Sequence, residues 1–331
     1  MYGTDWTEPV EPGEDARFEG YVAELRTVKE QFDARYGERA RALHRQAHAG
    51  VRATFTVRDD LAAAIPRELH VGPFTPGARF DAYVRFSNGG FARVKKDEPD
   101  VRGVAIKLLG VAGPKALGDG PTQDFLLNQT PRSGVRSPEE FVALTTSAAR
   151  GPLVLPWALA SRVGVGRAFG ILKDTLGGFT APFSSFASEQ FWSMVPYRMG
   201  PTVARWSLRA VDVQPRVGAT LASDLVARLR GGARWSFMAQ LFQDAARTPT
   251  EDATRDWDAP WIDLATLEVA PVDVSTGPGA EVAAYVERLA FDPWHAVEEL
   301  RPVGAFNRLR RAAYFAASAE HRDVVAEADV R

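Results

Sequence analysis

Seven stretches of this 331-residue chain have the length and pattern of β-strands, and they constrain its fold more than any other feature. Val51, Ala53, Phe55 and Val57 alternate with Arg52, Thr54, Thr56 and Arg58. Phe80, Ala82, Val84 and Phe86 alternate with Asp81, Tyr83, Arg85 and Ser87, and Asn88-Gly89-Gly90 then makes a turn. A period of two puts one set of side chains on each face of a sheet. Further strands are expected over 104–109, 124–129, 202–213, 233–243 and 263–270. Helical patterns lie between and after them. Phe18, Val22, Leu25, Val28, Phe32 and Tyr36 recur at steps of three or four, predicting a helix over 14–49. Residues 137–186 read as helical with Pro152 and Pro156 as punctuation, and Glu281–Leu289 as a short helix. Many antiparallel-looking strands with helices grouped around them indicate an α+β chain, a barrel or large sheet with helical additions. Residues 1–13, rich in Pro, Gly and acids, read as a loose arm before a single domain over 14–331.

Composition narrows the chemistry. A net charge of −2 gives no basic excess for nucleic acid or an anionic surface. With no cysteine, the chain can form no disulfide, iron–sulfur cluster, thiolate-ligated metal site or cysteine nucleophile. The first eight residues carry no basic and apolar leader, so a cytoplasmic protein is expected. No window of eighteen apolar, charge-free residues predicts a membrane span. The apolar stretch 153–176 holds Arg162, Arg167 and Lys173. It reads as a buried or lid helix, with a surface for apolar substrates or a membrane as the other reading.

Near the C-terminal end, the Ala-, Leu- and Arg-rich run after Gly304 favours a helix. On it Arg310 and Tyr314 are four residues apart and share a face. A guanidinium one turn from a tyrosine favours the phenolate. Ionising a free tyrosine at neutral pH costs roughly 4 kcal/mol. A tyrosine that binds ferric iron therefore needs help from the metal and from such a cation. Tyrosinate is a known axial haem ligand. An amphipathic surface pair is the ordinary reading of the same spacing.

Five segments occur in one order across residues 41–322: Arg41-x-x-His44; Val84-Arg85-Phe86-Ser87-Asn88; Asp100 to Lys107; Thr122-Gln123-Asp124-Phe125-Leu126-Leu127 with Pro131; and Leu289-Ala290-Phe291-Asp292-Pro293 leading to Arg310-x-x-x-Tyr314. Together they resemble the catalase superfamily, in its short, core-only bacterial branch. Pro249 to Ala253 with Trp257, and Val195 to Gly200, resemble that branch too. The resemblance implies an eight-stranded antiparallel β-barrel with surrounding helices. It also implies haem b bound between the barrel and the tyrosine-bearing helix, and peroxide chemistry. Carried over residue by residue, Tyr314 is the proximal iron ligand and Arg310 its phenolate partner. His44 is the distal histidine, with Ser87 beside it. Arg41, one turn earlier on the same helical stretch, Arg85 and Arg322 (or His321) meet the propionates. A homo-oligomer, a dimer or larger, is implied as well.

Two departures bear on the activity. The family has an asparagine two residues before the proline. Here Gln129 stands in that slot and Asn128 one residue earlier, and neighbours on a strand point to opposite faces. Where the family has phenylalanines after the proline, this chain has Arg132-Ser133-Gly134-Val135. With Gln129 orienting the peroxide and His44 moving its proton, a haem peroxidase or organic-hydroperoxide enzyme is the leading expectation. A true catalase follows, then a non-enzymatic haem protein or a haem enzyme of specialised metabolism. The reducing donor is an unidentified small molecule.

Other patterns are weaker. His44 and His48 have the spacing of a zinc-protease helix, but Arg45 stands where that motif needs Glu. Gly164-Val165-Gly166 follows no strand and lacks the third glycine of a dinucleotide loop. His70 and His295 read as structural.

Overall fold

In a computed structural model of the chain, residues 2–94, 96–319, 325 and 330 are described, the side chains of 315–319 excepted. Helix α1, Glu14–Tyr36, opens on the acids Glu14 and Asp15, which suit the positive end of the helix dipole. It stops at Gly37, whose φ of 65° is left-handed and whose N–H donates to Asp33 O. The helix expected to reach residue 49 therefore ends thirteen residues early. Arg41 and His44 do not share a helical face but sit in an irregular connection, where His44 itself has a φ of 53°.

The chain continues through β1 (Ala47–Val57), α2 (Leu61–Ala64), β2 (Arg79–Asn88), β3 (Arg102–Leu109) and β4 (Thr122–Asn128). Three helices follow, α3 (Pro138–Ala148), α4 (Leu155–Val163) and α5 (Val165–Thr180). Then come the short strands β5 (Gln190–Trp192) and β6 (Tyr197–Met199), with β7 (Thr202–Ala210), α6 (Leu221–Leu229), β8 (Ala233–Leu241) and β9 (Trp261–Val269). Helices α7 (Gly277–Arg288) and α8 (Ala305–Ala319) complete the described elements. All seven strands expected from the sequence form. The short strands β5 and β6 and the helix α6 were not foreseen.

Every strand pairing is antiparallel, and the order runs β5-β4-β3-β2-β1-β9-β8-β7-β6. β5 pairs with Ser207–Arg209 of β7 while β6 pairs with Thr202–Ala204, so the two short strands share one edge of β7. The β5–β7 pairing closes an eight-stranded barrel, leaving no long open edge among its strands. Eight α-helices surround it among the described residues.

The barrel interior is solid. Phe55, Phe74, Phe125, Trp206 and Phe237 are fully buried and pack ring against ring, Phe125 and Phe237 with centroids 4.7 Å apart. Contacts of this kind leave no room inside for a large ligand. Any such group must lie on the barrel's outer surface.

Register shows what that outer surface carries. Across β2, β3 and β4 three rows of side chains point outward: Tyr83–Lys107–Asp124, Arg85–Ala105–Leu126 and Ser87–Gly103–Asn128. The interleaved residues Val84, Phe86, Val104, Ile106, Phe125 and Leu127 belong to the interior core. Helix α7 packs on this face beside β1. Gly50 permits it, because a Cβ there would lie 2.6 Å from Val286 Cβ. The first row holds a fully buried ion pair. Lys107 Nζ donates to both oxygens of Asp124 at 2.8 and 2.9 Å, and Asp124 also accepts from Asp292 N at 2.9 Å. His295 lies 3.4 Å from the same carboxylate.

The apolar stretch 153–176 is not a buried helix. Ala158, Leu159, Ala168 and Ile171 face inward, but Leu153, Trp157, Val165 and Phe169 are mostly exposed. No helix among the described residues is long and apolar enough to cross a membrane.

Candidate functional site

The third outward row supplies the floor of the site. Gly103, at its centre, lies beneath the His44 imidazole: a Cβ there would come within 2.4 Å of His44 Cε1. Only glycine admits the ring so close. His44 Nδ1 is 3.0 Å from Ser87 Oγ, and His44 N donates to Gly89 O at 2.9 Å. The left-handed backbone at His44 is costly for a non-glycine residue, and these contacts hold it in place.

One side of the floor is cationic. The Arg41 and Arg85 guanidiniums converge on one carboxylate, Glu287 at the end of α7. Arg41 Nη1 donates to Glu287 Oε1 at 2.9 Å and its other nitrogen to Leu289 O. Arg85 Nε and Nη2 fork onto the same group at 2.9 and 3.1 Å. Two cations thus share one anion. Burial, then the nearness of Arg85, lowers the Arg41 pKa to about 10. Burial works against the Glu287 carboxylate too, but the two arginines hold its pKa below the usual range.

The other side is built by α8. The Arg310 guanidinium sits 5.5 Å from the centroid of the Tyr314 ring, as their four-residue spacing predicts. Arg310 Nη1 donates to Asn307 Oδ1 at 3.2 Å. Asn307 is itself fixed, its amide nitrogen donating to Pro196 O and Val303 O at 2.9 Å each. Burial opposes the charge on Arg310, yet the Tyr314 and Tyr197 hydroxyls raise its pKa above the ordinary guanidinium value. The buried Tyr197 hydroxyl lies by that guanidinium but meets no partner in hydrogen-bond geometry. These groups share one space. Burial foremost, with Arg85, Arg310 and Arg41 adding to it, pulls the His44 pKa down to about 3. Tyr314 in turn acts on Arg41. His44, Arg41, Arg310, Tyr314, Ala105, Leu126 and Asn128 each keep part of their surface accessible. These side chains are mostly buried but not sealed from solvent.

Asn128 and Gln129 part company here. Asn128 stands opposite Gly103, so it shares the outward face with Ser87 and His44. Its Oδ1 accepts from Thr130 N at 2.9 Å, and its Nδ2 makes no hydrogen bond among the described residues. Gln129 lies just past the strand with its amide engaged on both ends. Oε1 accepts from Arg102 N at 2.9 Å, and Nε2 donates to Gly178 O of α5 at 3.2 Å. Counting back from the proline picks out Gln129, and register picks out Asn128. A polar residue of the site with no sequence signal is Glu287, which looks like any acid near a helix end until its two arginines are in view.

His44 and His48 are not on a helix. His48 lies in β1, where its Nε2 is 2.6 Å from Asn88 Oδ1. Arg322 and His321 lie outside the described residues. A cavity of about 410 Å³ lined by Tyr2, Pro66, Leu241 and Ile262 involves none of the site residues.

No family model matches the sequence, and no curated protein matches it. Solved structures do. A bacterial catalase superimposes with a TM-score of 0.61 at 16% identity, over 88% of this chain and 60% of that one. Catalase A from Saccharomyces cerevisiae gives 0.60 at 18% identity, over 86% of this chain and 61% of the yeast chain. The chain spans about three fifths of the length of these catalases. At such identities the likeness is one of architecture, and it matches the closed barrel and outer helices described above. The chain has a catalase-like fold.

Proposed function

We propose that this chain is a haem-dependent oxidoreductase acting on peroxides, with the haem held between the outer floor of β2–β4 and helix α8. The observation that carries the reading is the grouping of His44, Arg41, Arg85, Arg310 and Tyr314, near enough to act on one another's charge, beside a barrel face where His44 stands over Gly103. That the similar structures are catalases supports it.

The residues present suit the group. Gly103 and Ala105 keep that face free of bulky side chains, and the partly buried Leu126 stands beside Ala105. Arg41 and Arg85, two cations for one protein carboxylate, suit a ligand carrying carboxylates of its own. Tyr314, with Arg310 over its ring, is the oxygen donor for iron. Bound there, haem supplies the iron redox chemistry that accepts the oxidising equivalents of the peroxide.

The protein's own part is proton handling and orientation. In the tautomer whose Nδ1–H donates to Ser87 Oγ, His44 Nε2 carries the lone pair. It takes the proton from the peroxide O–H and returns it to the departing oxygen, so the O–O bond breaks heterolytically. The low pKa of His44 keeps the imidazole neutral and ready at any ordinary pH. Asn128 Nδ2 orients the peroxide. Arg310 sets a positive charge beside the tyrosine, its guanidinium 5.5 Å from the centroid of the Tyr314 ring.

Peroxidase-like turnover, with an organic donor or an organic hydroperoxide, is the leading form of this reading. It rests on the open, polar run after Pro131, where Arg132 pairs with Asp256 at 3.3 Å and both are exposed. Disproportionation of hydrogen peroxide is the second form, favoured by the place of Asn128 on the site face. Haem-loaded protein given hydrogen peroxide, with and without a phenolic donor, decides between them. Rapid oxygen evolution selects the second form, and donor oxidation without oxygen selects the first. Haem binding with neither turnover leaves a haem carrier or sensor and rejects the enzyme.

A further inference from the structure

We propose that α4 and α5 form a docking face for the surface of an anionic lipid bilayer. Among the described residues, eleven large apolar side chains are strongly exposed, and seven of them lie between Leu153 and Phe179. On α5, Val165, Phe169, Leu176 and Phe179 fall on one side at steps of three, four and seven, the spacing of a single helical stripe. Trp157 on α4 is 79% exposed and Phe169 71%, values at which a monomer in water gains nothing from an aromatic ring. Opposite that stripe, Ala168 and Ile171 pack into the fold, so α5 has both an inner and an outer apolar side.

Charge indicates what covers the outer side. From Phe141 to Lys173 the chain has no acidic residue, although it carries about one acid in eight overall. The same segment carries Arg150, Arg162, Arg167 and Lys173. Arg162 and Arg167 are taken up by Glu24 and Glu140. Arg150 and Lys173 are exposed and make no ion pair among the described residues. An apolar, aromatic stripe with cations at its rim, and Asp174 as the single acid of α4 and α5, complements an anionic headgroup layer. The chain as a whole, at −2, does not share this bias.

The face also adjoins the site. Gly178 O of α5 accepts from Gln129 Nε2, and Thr175 packs against Gly134, so the helix seated on lipid is the one that closes over the end of β4. A peroxide-reactive site held there meets hydroperoxides of the lipid chains. That consequence alone rests on the function proposed above.

The test is co-sedimentation of the full chain with vesicles of phosphatidylcholine containing about one third phosphatidylglycerol, read beside pure phosphatidylcholine. The proposal expects pelleting with the anionic vesicles, weakened by salt. Partitioning should fall roughly tenfold or more in the Trp157→Glu, Phe169→Glu double variant. It should fall several-fold in Arg150→Glu, Lys173→Glu. Haem content and peroxide turnover in solution should stay unchanged in both, which keeps this result separate from the reading of the site. No pelleting at any lipid concentration overturns the proposal, as does pelleting that both variants retain. A concentration-dependent dimer in sedimentation velocity, lost in the double variant and accompanied by no vesicle binding, assigns the face to a second copy of the chain instead.

Discussion

Ser87 Oγ lies 3.0 Å from His44 Nδ1, and both stand over Gly103, whose missing side chain makes room for the imidazole. The hydroxyl fixes which ring nitrogen remains for chemistry. It also helps to hold a histidine whose left-handed backbone is unfavourable. Ser87→Ala is expected to lower kcat/KM for peroxide about tenfold, the scale of one lost orienting hydrogen bond. Gly103→Ala should do more, since its methyl group would displace the ring. Steady-state kinetics of the haem-loaded variants check both.

The pH dependence follows from the same histidine. Its pKa in the folded chain, about 3, lies below the unfolded value near 6.5 because burial and three arginines disfavour the imidazolium. Between those values the unfolded chain binds the proton and the folded chain does not. The contribution of His44 to stability is therefore whole above about pH 6.5 and is lost as pH falls toward 3. Wild-type protein should lose stability over this window, and His44→Gln should flatten the loss. The acid limb of kcat/KM should lie at least a unit below pH 6.5. A limb at 6.5 would mean that His44 is solvated.

Asn128 and Gln129 make a paired prediction. Asn128→Ala removes an amide from the face that carries His44 and should cut the peroxide rate by about tenfold to a hundredfold. Gln129→Ala removes a clasp between β3 and the end of α5. Its effect should appear as a loss of roughly 1–2 kcal/mol in stability, with the rate nearly intact. Rates and denaturation midpoints measured together check the pair, and the opposite pattern would return the role to Gln129.

Much of this was legible from the residues, and the failures have physical causes. Alternation marks β1 and β2, each with one face in a solid core, and the other five long strands are legible as runs of strand-forming residues. β5 and β6 escaped notice, since three residues are too few to show a period, although β5 is what closes the barrel. Arg41 to Ala47 has good helix formers, so the helical pattern runs past the end of the first helix at Tyr36. Gly37 and the pull of Asp33 on Arg45 turn the chain instead. The exposed stripe on α5 has the same composition as a core helix, and periodicity cannot say which side of a helix meets water. The choice between Asn128 and Gln129 depended on a partner residue, Gly103, that no local count supplies.

Lys107 and Asp124 form an ion pair with neither side chain exposed, tied to the backbone of Asp292. Removing one partner strands the other charge in the interior. Asp124→Ala should cost about 3–5 kcal/mol, and the Lys107→Met, Asp124→Leu double variant should recover a large part of it. Chemical denaturation of the three proteins checks this. Equal losses in single and double variants would contradict it.

Arg41 and Arg85 make a prediction about loading. Each gives charge-assisted hydrogen bonds, worth about 1.5–3 kcal/mol apiece when the partner is an anion. Arg85→Leu should weaken haem affinity by roughly tenfold to a hundredfold, with Arg41→Leu close behind. Titration of haem into the haem-free variants, followed by tryptophan quenching, measures it. Unchanged affinity in both would place the propionates elsewhere.

The central claim is that Tyr314, with Arg310 at 5.5 Å from its ring, is the ligand that holds haem iron. Its most direct test is the absorption spectrum of the haem-supplied wild type beside Tyr314→Phe. The account predicts a high-spin ferric haem spectrum in the wild type that is altered or lost in the variant. A wild type that takes up no haem, or a variant whose spectrum matches it, would contradict the assignment and leave a likeness to catalases in fold alone.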